Sequence, residues 1–425
     1  MKIKSLVGII FFLCTHASAA PLPFDQALTQ IISRSTSVQT AEANVGFTEA
    51  NAIPATFQFV PSITLDASKT RSEDATSNAT TNTGVEAVVK YNLFHWGADV
   101  ENLSAAHSDV KSQKSTLENT HYSVEDAGVA ALVAEIQNKK TIEIDQGIVD
   151  IQSNLLKVAK ERFAKGYLAS QEVDKISVDL DNAKASLSDA KIQEANSRAN
   201  LENLLGSAEI APEWPWKERF QRIKLKILEE KLNLPQVPDY LAAESHDQAE
   251  DSRYQRTKLL LLPSLDANFT YGYYNGFDTI SGASYSSGAL TPSWTAGVVV
   301  SWPIFDHLIT YSAEKAQSYV SAAADVALVQ KERDLNSAWE SSRDNFKIAM
   351  SAAIAREKTL ETSRKIYQDS LRRAQAGRIS ANDFVIDQQR LLNSELFAVQ
   401  GWAIAHLQFP KLCHALGRRL EKCWE

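Results

Sequence analysis

Four segments of the chain alternate apolar and polar residues with a period of two, and we expect each to form a β-strand. They cover about residues 62–70, 84–94, 264–274 and 293–305. A tip rich in small polar residues separates the two strands of each pair, so the pattern predicts two β-hairpins. Strands of about ten residues with aromatic side chains suit a tilted membrane crossing, and they suit a soluble sandwich equally well.

Long segments with few chain breakers follow each hairpin, and their apolar residues recur every seven positions. The series are Leu103, Val110, Leu117, Val124 and Ala131 in the first half, and Trp339, Phe346, Ala353, Leu360, Tyr367 and Ala374 in the second. This spacing predicts long coiled-coil helices at about 96–164, 170–205, 307–375 and 381–416. The longer ones would reach about 100 Å at 1.5 Å per residue. A plain filamentous coiled coil would show the same heptads.

The two halves of the chain repeat each other at an offset of 211 residues. RFAKGYLASQEV at 162–173 corresponds to RAQAGRISANDF at 373–384, and the strand at 88–94 corresponds to 299–305. Each half therefore consists of one β-hairpin and one long helical hairpin. We divide the chain into a first repeat at 20–206, a linker at 207–237, a second repeat at 238–417 and a tail at 418–425. The linker either forms a short helix in a belt around the helices or is solvated.

The turns of the two helical hairpins carry helix-end signals. Gly166 and Gly377 stand where a helix ends in the left-handed conformation. Ser380 followed by Asp383 reads as a capping box for the returning helix, and Ser170 is a looser version of the same signal.

The N-terminus reads as a secretory signal peptide at 1–19. Lys2 and Lys4 precede an apolar run at 6–13, and Ala-Ser-Ala at 17–19 supplies a cleavage site. An apolar run this short cannot span a bilayer, which needs about 20 residues. Cleavage removes two lysines and takes the net charge from −8 to about −10. An acidic exported chain is not expected to bind nucleic acid.

Composition offers no catalytic or metal chemistry. None of the common nucleophile, phosphate-loop or zinc-protease motifs occurs in a suitable context, so we expect no enzyme and no cofactor. The histidines lack ligand spacing; His95 and His107, for example, are twelve residues apart. Cys413 and Cys423 remain after export, and the sequence leaves their pairing open.

Several motifs make the chain resemble the TolC-like outer-membrane efflux protein family. GRISANDFVIDQQRLLNSEL at 377–396 is similar to the family's second-half turn, and VPDYLAAES at 237–245 to the start of its second half. The strand exits NLF at 92–94 and PIF at 303–305 are similar to the family's strand exits. The resemblance covers nearly all of the exported chain.

This resemblance implies a mainly α fold with a β-barrel contribution, assembled as a homotrimer. Four strands from each copy would close a twelve-stranded barrel in outer-membrane lipid, and the helices would continue it as a periplasmic tunnel. The implied partners are a periplasmic adaptor protein and an inner-membrane transporter of the ABC, RND or MFS type. The implied function is an exit duct for small molecules, drugs or secreted polypeptides.

The resemblance also assigns roles to the two turns. Asp383 falls on the position of the family's acidic entrance constriction. The family's second acidic position is Ile386 here, with Asp387 one residue later, and this departure puts a double acidic ring in doubt. Asp383, Asp387 and Arg378 are therefore the entrance candidates. The candidates for adaptor docking are Gly166, Tyr167, Leu168, Ser170, Gly377, Arg378, Ile379 and Ser380.

Two alternatives to a drug or metabolite duct stay open at this point. The chain could serve type I protein secretion specifically, because one duct can carry either class of cargo. It could also be a coiled-coil surface or structural protein that forms no channel.

Overall fold

The computed structural model describes residues 22–74, 77–206, 214–222, 226–277, 284–285, 290–306, 308–376 and 378–424. The expected signal peptide at 1–19 lies outside the described residues, as does Gly377. The described chain is mostly helical, and its strands form one antiparallel sheet.

Two helices that the sequence pattern did not predict precede the first hairpin: α1 (Phe24–Arg34) and α2 (Thr36–Phe57). Ser35 separates them and caps α2, because its hydroxyl accepts a hydrogen bond from the Val38 amide at 3.4 Å. The α2 segment has mostly small residues and contains Pro54, so it shows no apolar stripe that would have revealed a helix.

The first hairpin consists of β1 (Ser62–Asp74) and β2 (Ser77–Phe94). Both strands extend further toward the tip than the alternation indicated. Thr81 pairs with Arg71, and such β-branched residues favour extended backbone in a segment that composition alone presents as a loop.

The first helical hairpin consists of α3 (Ala98–Ala164) and α4 (Ser170–Leu205). Helix α3 begins two residues later than expected, because Trp96 and Gly97 have positive φ angles of 56° and 91°. These two residues turn the chain from the strand into the helix.

The linker packs into the fold where the structure describes it. It contains α5 (Lys217–Arg222), α6 (Lys226–Glu229) and a 3₁₀ turn at Leu234–Gln236. Trp216, just before α5, is only 1% exposed. A solvated linker is therefore excluded for this part of the segment, which continues into α7 (Pro238–Leu259), a further helix that the pattern did not predict.

The second half contains β3 (Ser264–Phe277), a short β4 (Ser284–Tyr285) and β5 (Thr291–Ser301). β5 ends four residues before the predicted end at 305. Proline at 303 has no amide hydrogen to donate to a neighbouring strand, which explains the early end.

The second helical hairpin consists of α8 (Ile309–Gln375) and α9 (Ala381–Ala415). Leu308, before α8, corresponds to Gly97 at the repeat offset and has a positive φ of 62°. Both halves thus enter their long helix through a left-handed residue.

The helices that are connected directly to a strand lie in the same order as those strands: α2 precedes β1, α3 follows β2, α7 precedes β3 and α8 follows β5. The sheet order is β1-β2-β3-β5. Helix α3 packs against α2 and α4 and also against α7 and α9, and α8 packs against α7 and α9. The helix order is therefore α2 with α4, then α3, then α7 with α9, then α8.

The core centres on aromatic residues between α5, the second helical hairpin and the C-terminal 3₁₀ turn (Leu420–Trp424). Phe220, Phe346 and Phe409 pack mutually with ring centroids 5.2 to 5.6 Å apart. A disulfide between Cys413 and Cys423 joins the C-terminal turn to α9. The pairing that the sequence left open is thus present.

Candidate functional site: the two-faced sheet and the helical tips

The strand register places apolar side chains from all four long strands on one face of the sheet. Two cross-strand rows show this: Ile63, Val89, Phe269 and Ala296 form one, and Leu65, Ala87, Tyr271 and Trp294 form the next. Paired residues share a face, so the alternation within each strand becomes one continuous apolar band.

This apolar band is exposed along the described chain. Leu65 is 76% exposed, Trp294 67% and Val300 68%. A soluble monomer rarely leaves such a contiguous apolar surface open to water. Tyr271 and Tyr273 lie toward the tip end of the band, and Tyr91 lies toward the helix end, as expected for aromatic residues at the two borders of a bilayer.

The opposite face of the sheet is polar. Its rows include Thr64, Val88, Thr270 and Thr295, and then Asp66, Glu86, Gly272 and Ser293. The Tyr274 hydroxyl donates a hydrogen bond to the Glu86 carboxylate at 2.6 Å on this face. One face therefore suits lipid and the other suits water.

Tryptophan side chains fix the helix end of the sheet. Trp96 donates its indole hydrogen to the carbonyl of Pro263 at 2.7 Å, and Trp302 donates to the carbonyl of Leu261 at 3.2 Å. Both bonds reach the segment between α7 and β3. They attach the residues after β2 and after β5 to this same segment.

The turn between α3 and α4 ends α3 with a left-handed glycine, as the sequence indicated. Gly166 has a φ of 75°. Its amide donates to the Phe163 carbonyl at 2.8 Å and the Tyr167 amide donates to the Arg162 carbonyl at 2.9 Å. This bonding pattern is a Schellman motif, in which the last carbonyls of the helix find donors.

The prediction that Ser170 caps α4 is wrong. Ser170 is the first helical residue, and the extended residue before the helix is Ala169, which has no side-chain acceptor. A capping hydroxyl must come from the extended residue, so Ser170 lies one position too late. At this tip Tyr167 is 79% exposed and Leu168 is half-buried.

The second turn has the capping contact that the sequence predicted. The Ser380 hydroxyl accepts from the Asp383 amide at 3.1 Å and donates to the Asp383 carboxylate at 2.7 Å. The Arg378 amide donates to the Arg373 carbonyl at 2.8 Å, so the end of α8 also closes on itself. Asp383 and Arg378 are exposed, and Ile379 is half-buried.

Asp387 faces the partner helix of its own hairpin. Its carboxylate accepts a hydrogen bond from the Ser370 hydroxyl of α8 and lies 2.7 Å from Arg390 Nη1. Only 16% of the side chain is exposed. The aromatic rings of Tyr367 and Phe384 stack one turn away, with centroids 5.7 Å apart. Asp387 therefore joins α8 to α9, whereas Asp383 is available to solvent.

Sequence reasoning missed an ion-paired histidine at the C-terminal end of α9. His414 on α9 lies between two carboxylates of α3, with Nε2 2.9 Å from Glu125 and Nδ1 3.1 Å from Asp126. Burial alone would lower the pKa of His414, but the two carboxylates of Asp126 and Glu125 outweigh it and raise the pKa above the ordinary value. In the sequence, the one feature that draws attention to His414 is its adjacency to Cys413.

A second buried histidine, His406, has a lowered pKa and is neutral. His406 is fully buried in the aromatic core, and its Nδ1 hydrogen bonds the Trp402 carbonyl at 2.7 Å. Its Nε2 accepts from the Trp216 amide at 3.4 Å, which requires the neutral form. Burial lowers the pKa of His406 to about 4.

Neither metal ligation nor a helical membrane crossing is found in the residues that the structure describes. No group of three or more histidine, cysteine, aspartate or glutamate side chains is arranged to hold a metal ion in that part of the chain. None of its helices is long and apolar enough to cross a bilayer.

Residues 27–207 match the sequence profile of the outer membrane efflux protein family. The resemblance to this family is confirmed. A comparison with curated protein sequences finds no match.

Solved structures of outer membrane channels share the fold over nearly the whole chain. The CmeC outer membrane channel of Campylobacter jejuni has a TM-score of 0.75 at 15% identity, covering 93% of this chain and 85% of its own. The outer membrane protein VceC of Vibrio cholerae scores 0.74 at 15% identity, with 93% and 96% covered. The MtrE outer membrane channel of Neisseria gonorrhoeae, in its open state, scores 0.74 at 16%, with 93% and 89% covered.

Proposed function

We propose that the chain is one protomer of a trimeric outer-membrane exit duct in a tripartite export system. In this proposal it passes small molecules, drugs or secreted polypeptides from an inner-membrane transporter and a periplasmic adaptor to the exterior. The supporting observation is that the open edges of the sheet and the open edges of the helical layer lie on the same two sides of the chain.

The strand directions support extension by further copies. β1 and β5 are the outer strands of the described sheet, and each long strand runs antiparallel to its neighbour. β5 therefore runs opposite to β1, so β5 of one copy can pair with β1 of the next in the same antiparallel sense. Unpaired edges of this length favour such pairing.

Closure into a barrel would use both faces of the sheet. Four strands are too few to enclose a channel, whereas three copies supply twelve. The exposed apolar band would then face lipid, and the row with Asp66 and Glu86 would line water. A non-channel surface protein gives no reason for the apolar band to be exposed.

The helices would continue the wall. α2 and α4 form one edge of the helical layer, and α8 forms the other. Among the residues that the structure describes, no helix of the same chain covers either edge. α8 leaves large apolar side chains exposed on its surface, among them Tyr319, Val326 and Ile348. These side chains would pack against α2 and α4 of the next copy, and the tunnel would end at the two helical tips.

At those tips we assign the entrance to Asp383 before Asp387. Three exposed Asp383 carboxylates around a threefold axis would attract cations. Asp387 is already paired with Ser370 and Arg390. The adaptor would contact both tips, where Tyr167 is the most exposed aromatic residue of the described chain.

Single-channel recording in planar bilayers tests the proposal. We expect the purified trimer to conduct and to prefer cations, and we expect Asp383→Ala to reduce that preference more than Asp387→Ala. Glu361→Ala is the matched control, because Glu361 is an exposed carboxylate of α8 that pairs with Lys365 on its own helix. Silent bilayers with folded trimer would contradict the duct, and unchanged selectivity in Asp383→Ala would contradict the entrance assignment alone.

A further inference from the structure

Two cations lie on the apolar face of the first hairpin, beyond the aromatic end of the apolar band. The odd-numbered residues of β1 share this face, so Lys69 and Arg71 continue the line of Leu65 and its neighbours toward the tip. Lys69 pairs with Thr83, and this pair is the next one on the same face, toward the tip, after the row that contains Tyr273. At about 3.3 Å per residue, the two cations lie about 7 and 13 Å along the strand beyond that tyrosine.

Neither cation is used inside the fold. Both side chains are exposed. Among the described residues, neither side chain makes a hydrogen bond or an ion pair. A long basic side chain that is unpaired at this height of a membrane strand can reach the headgroup layer.

The carboxylates that the structure describes in the sheet all lie on its polar face. Where the structure describes side chains, the apolar face carries Lys69 and Arg71 and no carboxylate. The carboxylates of Asp66, Glu86 and Asp266 belong to the polar face. Among the side chains that the structure describes here, an anion approaching from the lipid side therefore meets only positive charge.

We propose that Lys69 and Arg71 bind the phosphate groups of lipid headgroups in the leaflet around the hairpin tips. The inference rests on the proposed function, because that orientation puts the tips at the outer leaflet. The site combines an apolar band for acyl chains, tyrosine and tryptophan at the border, and two cations beyond it. Three copies would present three such sites around the barrel.

The test is a native mass spectrometry titration of the trimer in mixed micelles with diphosphoryl lipid A. A basic residue near an anionic membrane surface contributes enough to change affinity about fivefold, so Lys69→Gln with Arg71→Gln should weaken binding about 25-fold. Lys69→Arg with Arg71→Lys should bind like the wild type, which controls for folding. Lys90→Gln is the matched control, since Lys90 is an exposed lysine of the same hairpin on the polar face.

Three results would overturn the inference. The double glutamine variant could bind lipid A as tightly as the wild type. Lys90→Gln could weaken binding to the same extent. Inorganic phosphate could displace the lipid at equal concentration, which would make the site one for a soluble anion.

A flotation assay with phosphatidylethanolamine vesicles separates the two proposals. A chain that fails to insert contradicts the duct and this inference together, whereas insertion without lipid A binding contradicts this inference alone.

Discussion

The imidazole of His414 lies flat on the phenol ring of Tyr122, with ring centroids 4.4 Å apart and an angle of 3° between the planes. The same imidazole is paired with Glu125, which also accepts the amide hydrogen of Leu420 at 3.2 Å. Arg419, the residue before it, forms a two-pronged ion pair with Glu118 of α3 at 2.9 to 3.0 Å. The C-terminal turn is therefore attached to α3 through charge, in addition to its disulfide with α9.

The attachment through His414 should depend on pH. Its pKa is higher in the folded chain than the ordinary value of 6.5, so the protonated ring stabilises the fold fully below that value. The contribution is lost as the pH rises through the raised pKa. We expect His414→Gln to lower the stability by about 2 kcal/mol at pH 6 and by much less at pH 9. Melting midpoints at both values measure this. His107→Gln, an exposed histidine on α3, should show no such difference, and a pH-independent loss in His414→Gln would contradict the ion pair.

His406 should make the fold sensitive to acid in the opposite sense. Its pKa is about 4 in the folded chain and 6.5 ordinarily, so the unfolded chain takes up a proton first as the pH falls. The wild type should lose about 3 kcal/mol between these two values through this group alone. We expect His406→Leu to be less stable at pH 7, because the Trp216 amide loses its acceptor, and to show a flatter decline toward pH 4. A decline as steep as that of the wild type would show that other groups cause the acid loss, and the exposed His246→Gln should leave it unchanged.

The disulfide should stabilise the C-terminal turn. A closed loop with ten residues of separation corresponds to about 3 kcal/mol in the chain-entropy treatment. We expect Cys423→Ser to lower the melting midpoint, and dithiothreitol to lower the wild type to the same value. The reductant should not affect the variant. If it lowers the variant as well, its effect on the wild type does not come from this bond.

The repeating elements could be predicted from the sequence because their signal is local. Alternation within about ten residues reveals a strand, and a seven-residue period reveals a coiled-coil helix, as in the series through Phe346 and Leu360, both of which are buried. α2 and α7 lack such a signal. Their residues are mostly small or polar, and they are held by contacts to α3 such as the Asn119 side chain donating to the Asp239 carboxylate at 3.0 Å.

Contacts between distant segments could not be predicted in the same way. His414 and Glu125 are 289 residues apart, and only the packing of α9 on α3 brings them together. The role of Asp387 was equally hidden, because a heptad series gives the face of one helix but not its register against the next. Capping at Ser170 failed for a smaller reason, since the extended residue came one position earlier.

The Ser370 and Asp387 contact should hold the end of the second helical hairpin closed. The hydroxyl of α8 bonds a carboxylate of α9 that is largely buried, so its loss leaves that carboxylate with Arg390 alone. We expect Ser370→Ala to cost about 1 kcal/mol locally, which corresponds to about fivefold faster hydrogen exchange of amides near this end of α8 and α9. Ser351→Ala is the matched control, because the Ser351 hydroxyl is exposed and bonds only the Ile348 carbonyl of its own helix. Equal exchange in the two variants would show that the stacking of Tyr367 on Phe384 is sufficient to close the hairpin.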